Sequence, residues 1–274
     1  MPETSDVSQF SRVDSASDPH FAIRFMEAAR ALPGIRACKS EVLDELRLVS
    51  GASALDVGCG FGADAADMAV RVAPGGMVTG IDRSEVMIGA ARERHVAAGV
   101  TFQIADVTAL PFPDASFDAC RADTVLQHIP DHRAGLTEMV RVVRPGGRVA
   151  GYELDMETFV VDSPDRSTTR AIVTSAADAI AQGWAGRQLA RMYRAEGLTD
   201  VTVVPRAIIA SFEIFELVYK AQVDRLCARG ALDPEVAERW WADLREAEAD
   251  GRFMAAITSF VVAGTKPGSP TRLR

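Results

Sequence analysis

Hydrophobic and polar residues follow two alternating periods along this chain from residue 53 onward. Short apolar runs are followed by segments whose apolar positions recur three or four residues apart; Leu136, Met139, Val140 and Val143, for example, share one helical face. Repeated strand-helix alternation is typical of a parallel sheet covered by helices on both faces. The predicted strands are "SALDV", "MVTGI", "VTFQI", "FDACRA" and "GRVAGYEL", and the predicted helices among them cover 62–72, 84–98 and 132–143.

The sequence on either side of this regular region predicts further structural units. Two helical patterns, 18–32 and 34–49, are split by a Pro-Gly pair. The last third carries helical stretches at about 165–196, a β-type run "VTVVPRAIIA", a helical block over 212–250 and a last strand near "AAITSFVVAGT". The expected units are an N-terminal arm and helical cap over 1–49, a core over 50–211 and 251–266, a helical lid insertion over 212–250 and a flexible tail over 267–274.

Composition narrows the class of partner. The 274 residues are 48% hydrophobic and 25% charged, enough for one large domain with a sizeable core. No apolar run reaches the roughly 20 residues that cross a bilayer, and the polar N-terminus is unlike a signal peptide. A net charge of -8 without a dense basic run argues against nucleic-acid binding. We therefore expect a cytoplasmic protein with a small-molecule partner, no nucleic acid and no membrane span, and a homodimer remains an open option.

The cysteines and histidines predict no metal centre. Cys38, Cys59, Cys120 and Cys227 are widely spaced, and neither a C-x-x-C pair nor a histidine cluster completes a zinc site. We interpret the four cysteines as reduced and mostly structural.

The stretch "LDVGCGFG" places three glycines, Gly58, Gly60 and Gly62, directly after a predicted strand. Glycine lacks a Cβ, so this turn can take unusual dihedral angles and let a ligand lie against bare backbone. Dinucleotide sites use a similar G-x-G-x-x-G/A pattern, which Gly58, Gly60 and Ala63 also satisfy. Asp56, however, brings a carboxylate that would repel a pyrophosphate and attract a cationic amino-acid group. The loop therefore favours a nucleotide-like ligand that carries a positive charge.

The ordered motifs between about residues 50 and 153 resemble the class I S-adenosylmethionine-dependent methyltransferases, particularly the ubiquinone/menaquinone-biosynthesis-like group (methyltransferase type 11). "LDVGCGFG" is similar to that family's first motif, and "VTGID" to its second strand with a closing acid. "IADVTALPFPDASFDACRAD", "VLQHIPD" and "RVVRPGGRV" follow in the family's order. The resemblance implies an α/β, Rossmann-like fold with a mostly parallel seven-stranded sheet. It also implies S-adenosyl-L-methionine as methyl donor and S-adenosyl-L-homocysteine as product.

The resemblance further implies a set of cofactor-binding residues. Asp82 corresponds to the family's ribose-binding acid, and Asp106 to the position that meets the adenine amino group. Arg83 and Met87 lie on the turn after Asp82, where an aliphatic stem and a thioether could flank the adenine. The alternatives are a helix-capping Asp82, a turn-forming Asp106 and a core Met87. The expected set is Asp56, Gly58, Cys59, Gly60, Gly62, Asp82, Arg83, Met87, Asp106, Val107 and Arg121.

Methyl transfer from a sulfonium depends mainly on alignment and on exclusion of water. A base is needed only when the methyl acceptor loses its proton on attack. His128 in "VLQHIPD" and Glu153 in "GYELDMET" are the candidate catalytic residues, each with a structural role as its alternative. Aromatic side chains outside the motifs could line an apolar acceptor pocket or only pack in the core. These are Phe21, Phe25, Phe212, Phe215, Tyr219, Trp240 and Trp241.

The favoured function is transfer of a methyl group from S-adenosylmethionine to a small, fairly apolar metabolite, such as a natural-product or quinone-like acceptor. The alternatives are an NAD(P)-dependent oxidoreductase and a catalytically silent cofactor-binding module. The sequence leaves open the acceptor and whether its O, N, C or S atom is methylated.

Overall fold

A computed structural model describes residues 7–96 and 99–268, which build a seven-stranded sheet with helices on both faces. The strands are β1 (Ser53–Val57), β2 (Met77–Asp82), β3 (Val100–Ile104), β4 (Phe117–Asp123), β5 (Val143–Val161), β6 (Thr199–Ile209) and β7 (Ala255–Thr265). Their order in the sheet is β3-β2-β1-β4-β5-β7-β6. The first five strands in this order are parallel to one another, whereas β7 is antiparallel to β5 and β6. The predicted α/β, mostly parallel sheet is confirmed.

The helices begin where the sequence supplies caps or first-turn prolines. Ser84 Oγ accepts a hydrogen bond from Met87 N, and Asp233 accepts from the first turn after Pro234. The helices are α1 (Phe21–Ala31), α2 (Pro33–Glu45), α3 (Ala63–Val72), α4 (Glu85–Arg94), α5 (His132–Val142), α6 (Arg166–Asp178), α7 (Ala185–Ala195), α8 (Phe212–Ala228) and α9 (Pro234–Ala249). Short 3₁₀ segments cover Val7–Ser15, Val107–Ala109 and Leu126–His128.

The structure refines two of the predicted regions. The helical stretches predicted over 165–196 are two helices, α6 and α7, separated by turns that include Gly183, where a Cβ would lie 2.4 Å from Ala177 O. The fifth strand contains Glu153, as predicted, but continues past the predicted end at Leu154 to Val161 because β7 pairs with it along most of its length. The parts of the predicted arm and tail at residues 1–6 and 269–274 lie outside the described residues.

The sheet separates two hydrophobic layers because successive strand residues face opposite sides. Leu55 and Val57 of β1 pack in one layer with α5 and α7, whereas Ala54 packs in the other with α2, α3, α6, α8 and α9. Since β1 lies between β2 and β4, the chain's strand order reverses beside β1. Ligands in such sheets bind in the crevice beyond the carboxyl ends of the strands at this reversal. The glycine-rich loop follows β1 at that place.

Candidate active site

The glycine-rich loop presents bare backbone at the end of β1. Gly58, Gly60 and Gly62 have φ angles of +64°, +51° and +85°, in the left-handed region that favours glycine. A Cβ on Gly58 would lie 2.3 Å from Val125 Cγ2, and one on Gly62 would lie 2.7 Å from Phe102 Cζ. Both the backbone conformation and the neighbouring side chains therefore require glycine here.

Asp82 joins this loop to the end of β2. Its Oδ2 accepts a hydrogen bond from Gly60 N at 3.0 Å, and its Oδ1 accepts one from Ser84 N at 2.9 Å. Burial raises the pKa of Asp82, although both N–H donors favour the charged form. The Asp82 carboxylate thus orders the turn before α4, in line with the helix-capping role that the sequence offered as an alternative. Each carboxylate oxygen has a second lone pair, so Asp82 can still accept hydrogen bonds from the two hydroxyl groups of a ribose.

A smaller cavity opens beside Asp82 and contains most of the expected cofactor-binding residues. Asp106 lies at its edge and accepts from Thr108 N at 2.8 Å, so it also forms the predicted turn. An acid for the ribose, bare glycine backbone and apolar side chains for a base ring lie in one cleft, and these residues fit an adenosyl cofactor. The expected residues that line it are Gly58, Gly60, Asp82, Arg83, Met87, Asp106 and Val107.

A larger, mostly apolar cavity adjoins the smaller one. Its empty volume, including its open mouth, is about 1170 Å³. Phe25 is the one expected acceptor-pocket aromatic that lines it among the described residues, whereas Phe215, Tyr219 and Trp240 are buried in the core. The apolar lining comes from widely separated elements and includes Phe10, Met26, Ile35, Leu154, Met156, Phe159, Ile208, Ile214, Val218 and Ile257.

The two cavities share a wall. A small molecule in the larger cavity and a cofactor in the smaller one would therefore meet at a common boundary, shielded from bulk water by protein on several sides. The N-terminal 3₁₀ segment contributes to both cavities through Phe10. The residues that border both are Phe10, Met26, Gly58, Asp123, Thr124 and His128.

His128 occupies this shared wall. Its Nε2 lies 3.1 Å from the side-chain Nε2 of Gln127, and its ring packs edge-on against Phe10 with centroids 5.5 Å apart. Although the side chain keeps some accessible surface, it lies deep among protein atoms, and this burial lowers the pKa of His128 to about 4. The imidazole is therefore neutral at pH 7, and one of its nitrogens is already engaged.

Glu153 lies behind the wall rather than in either cavity. Its carboxylate accepts hydrogen bonds from Val125 N at 3.0 Å and Leu126 N at 2.7 Å, and a longer one from Gln127 N at 3.4 Å. Burial raises the pKa of Glu153 to about 8, whereas the N–H donors favour its charged form. The Glu153 side chain thus holds in place the 3₁₀ segment that carries His128. This is the structural role that the sequence offered as the alternative to catalysis.

Arg121 is also placed differently from a cofactor-contacting residue. Its side chain is 1% exposed and lines neither cavity; it pairs with Asp64 at 3.2 Å, Asp123 at 2.5 Å and Asp56 at 3.7 Å. Burial disfavours the Arg121 cation, but the surrounding carboxylates outweigh this and raise its pKa. Burial in turn raises the pKa of Asp56 to about 7. A cationic ligand group in the larger cavity, which Asp56 borders, would stabilise this carboxylate.

The remaining expected residues divide between the cavities and the scaffold. Cys59 lines the larger cavity, and Gly62 is the N-cap residue of α3 and lines neither cavity. The sequence reasoning missed Lys39, Asp64 and Thr124, which also border the larger cavity. Lys39 lies in the N-terminal cap, far from any recognised motif, so no local pattern could have indicated it.

Two further features of residues 7–96 and 99–268 concern metal binding and membrane crossing. No group of His, Cys, Asp or Glu side chains there is arranged to hold a metal ion. No helix in that part of the chain is both long and apolar enough to cross a membrane.

Comparison with known proteins agrees with this geometry. Residues 55–151 match the family model described as a methyltransferase domain. A 37.1 kDa protein in transposon TN4556 of Streptomyces fradiae is 36% identical over 247 residues, which are 88% of this chain and 70% of that protein. The 27-O-demethylrifamycin SV methyltransferase of Amycolatopsis mediterranei is 44% identical over 109 residues. That match spans 38% of this chain and only 39% of the rifamycin enzyme.

A solved structure shows the same fold across nearly the whole chain. It is phosphoethanolamine N-methyltransferase 2 of Haemonchus contortus in complex with phosphomonomethylethanolamine and S-adenosylhomocysteine. The TM-score is 0.60 at 20% identity, covering 97% of this chain and 61% of that one.

Proposed function

Since this chain belongs to the class I S-adenosylmethionine-dependent methyltransferases, we propose that it methylates a small, fairly apolar metabolite of the natural-product or quinone-like kind. The observation that carries this proposal is the shared wall between the two cavities. One cavity fits the cofactor, and the other offers an extended apolar surface with polar groups near the wall. The name of the rifamycin relative supports an acceptor of this kind.

Within this proposal, Asp82 binds the ribose hydroxyls, and the backbone at Gly58 and Gly60 carries the rest of the cofactor. When bound, S-adenosylmethionine supplies a methyl group on a positively charged sulfur, which keeps the electron pair of the broken bond. His128 lines the transfer position, and Glu153 keeps its segment in place. Because His128 is neutral and engaged with Gln127, we propose that alignment contributes more to the rate than a strong side-chain base.

We also propose how the units cooperate. Residues 50–211 and 251–266 act as the cofactor-binding core, and the N-terminal arm and cap (1–49), through their described residues 7–49, cover both cavities. The 212–250 insertion contributes Ile214 and Val218 of α8 to the acceptor side. Closure of these parts over the ligands would exclude water during transfer.

The cofactor assignment is tested by calorimetry on the full chain. S-adenosylmethionine and S-adenosylhomocysteine should bind, and Asp82→Ala should weaken both by roughly 1 to 3 kcal/mol because charge-assisted hydrogen bonds are lost. Asp162→Ala removes a carboxylate that lines neither cavity and serves as the control. Transfer of label from methyl-labelled cofactor to a panel of apolar phenols, hydroxyquinones, amines and thiols then tests the acceptor class.

Tight NADH binding with no response to either adenosyl ligand would contradict the proposal and favour the oxidoreductase alternative. Cofactor binding without transfer to any acceptor in the panel would favour a silent cofactor-binding module.

A further inference from the structure

One end of the larger cavity is polar although most of its lining is apolar. Lys39 of α2 donates hydrogen bonds through Nζ to Asp64 Oδ2 at 2.6 Å and to Asp123 Oδ2 at 2.5 Å. Asp64 lies in the first turn of α3 and Asp123 at the end of β4. An ammonium group from the N-terminal cap is thereby clamped between two carboxylates of the core.

The ammonium lies on the acceptor side of the shared wall. Asp123 borders both cavities, whereas Lys39 and Asp64 border only the larger one. The Lys39 side chain is 16% exposed and so can be reached from the cavity, in contrast to Arg121 at 1%. A ligand atom that lies against this wall can therefore contact Lys39 beside the transfer position.

The Lys39 ammonium is held in its charged form, and one of its N–H bonds has no acceptor among residues 7–96 and 99–268. Burial disfavours its charged form, but the charges of Asp123 and Asp64 outweigh this and raise the pKa of Lys39. An ammonium has three N–H bonds, and within the described residues two are donated to these carboxylates. A buried ion of this kind is stabilised when its remaining proton is also donated. An oxygen atom of a ligand would accept it.

The neighbouring groups limit how an acceptor hydroxyl can become nucleophilic. His128 is neutral, with one nitrogen engaged by Gln127, and Glu153 faces three backbone N–H groups. A weakly acidic alcohol would need a strong base, which neither residue supplies. A phenol or enol can instead lose its proton to solvent if a fixed cation stabilises the oxyanion.

We propose that Lys39 is a positioning residue whose ammonium donates to, and stabilises, a phenolate or enolate oxygen of the methyl acceptor. This inference rests on the proposed methyltransferase function and refines it to O-methylation of an acidic hydroxyl on an apolar body. The cluster formed by Lys39, Asp64 and Asp123 holds that oxygen at the shared wall, so the acceptor needs no proton-abstracting side chain.

The test uses 4-nitrophenol, whose phenol and phenolate forms absorb differently, bound to the full chain saturated with S-adenosylhomocysteine. Absorbance titration reports the pKa of the bound probe. In the native protein, we expect the pKa of the bound probe to lie below that of the free probe. In Lys39→Gln, the pKa of the bound probe should be at least one unit higher than in the native protein, which is a tenfold change in the ionisation constant. Lys39→Arg should restore most of the shift because it keeps the charge. Arg71→Gln, which removes an exposed cation on α3, should change nothing.

Several outcomes overturn the inference. They are a bound probe whose pKa is equal to or above the free value, a shift that survives in Lys39→Gln, and no probe binding to the cofactor-loaded protein. If Lys39→Gln does not fold, the comparison of bound and free probe in the native protein still decides. Calorimetry with S-adenosylhomocysteine separates the two proposals: binding without a probe shift removes only the role of Lys39, whereas absent binding removes the proposed function itself.

Discussion

At the scale of the residue, burial makes His128 a pH-dependent contributor to stability. Its pKa falls from an ordinary 6.5 to about 4 on folding. Between these values the unfolded chain binds more protons than the folded one, so stability rises with pH across this window. The stability that the protein has with a neutral, buried His128 is fully present above about pH 6.5 and is lost as the pH falls toward 4. The pKa shift of His128 corresponds to a change of at most about 3 kcal/mol in the free energy of unfolding.

We therefore predict that His128→Phe, which retains a ring beside Phe10, flattens the pH dependence of stability between pH 4 and 6.5. Urea unfolding at several pH values measures the difference from the native protein. Asp56 and Glu153 act in the opposite direction, since their raised pKa values make stability fall as pH rises, but they are present in both proteins. His20→Gln changes an exposed histidine and is the control. Parallel curves for His128→Phe and the native protein would contradict the prediction.

At the scale of the element, the N-terminal 3₁₀ segment lines both cavities and is hydrogen-bonded to the start of α4 through Asp14. Asp14 accepts hydrogen bonds from Ser84 Oγ at 2.5 Å, Glu85 N at 2.9 Å and Val86 N at 3.2 Å, all at the start of α4. A carboxylate at a helix N-terminus is stabilised by the exposed N–H groups and the helix dipole. By contrast, α8 and α9 are anchored by buried aromatic residues such as Phe215 and Trp240.

We predict that Asp14→Ala increases amide hydrogen exchange in residues 7–15 and speeds release of S-adenosylhomocysteine about fivefold, as expected for a loss of about 1 kcal/mol. In the native protein, this ligand should slow exchange in the same segment more than in α9. Exchange mass spectrometry and stopped-flow dissociation measure the two effects. Asp44→Ala, which removes an exposed carboxylate on α2, is the control. Unchanged exchange and release in Asp14→Ala would show that the segment does not control access.

At the scale of the whole molecule, a buried ionic network joins the N-terminal cap to the core. Asp64 pairs with Arg30 of α1, Lys39 of α2 and Arg121 of β4. Burial alone would raise the pKa of Asp64, but the three cations outweigh it and lower that pKa well below its usual range. Removing one member of such a network leaves buried charges without compensation.

Asp64→Asn should therefore lower the free energy of unfolding by about 3 kcal/mol, with little dependence on salt because the group is shielded. Asp224→Asn breaks an exposed pair with Lys220 and should cost less than about 1 kcal/mol. Urea unfolding at low and high salt measures both variants. A loss below about 1 kcal/mol for Asp64→Asn would mean that the cap is not held by this network.

The sequence by itself determined the features that short stretches of chain encode. Strand and helix periods predicted the mostly parallel sheet that the structure contains. The spacing of Gly58, Gly60, Gly62 and the later motifs indicated the family and its cofactor. These features depend on local backbone conformation and on ordered motifs, which are readable without knowing what packs against them.

Only the tertiary structure decided the shape and polarity of the larger cavity. Lys39 and Asp123 are 84 residues apart in sequence yet share a hydrogen bond, and the lining of the larger cavity ranges from Val7 to Ile257. The neutral state of His128 and the backbone contacts of Glu153 likewise follow from packing, since a residue's pKa depends on its burial and on the groups around it. Such contacts join distant elements, and no local periodicity records them.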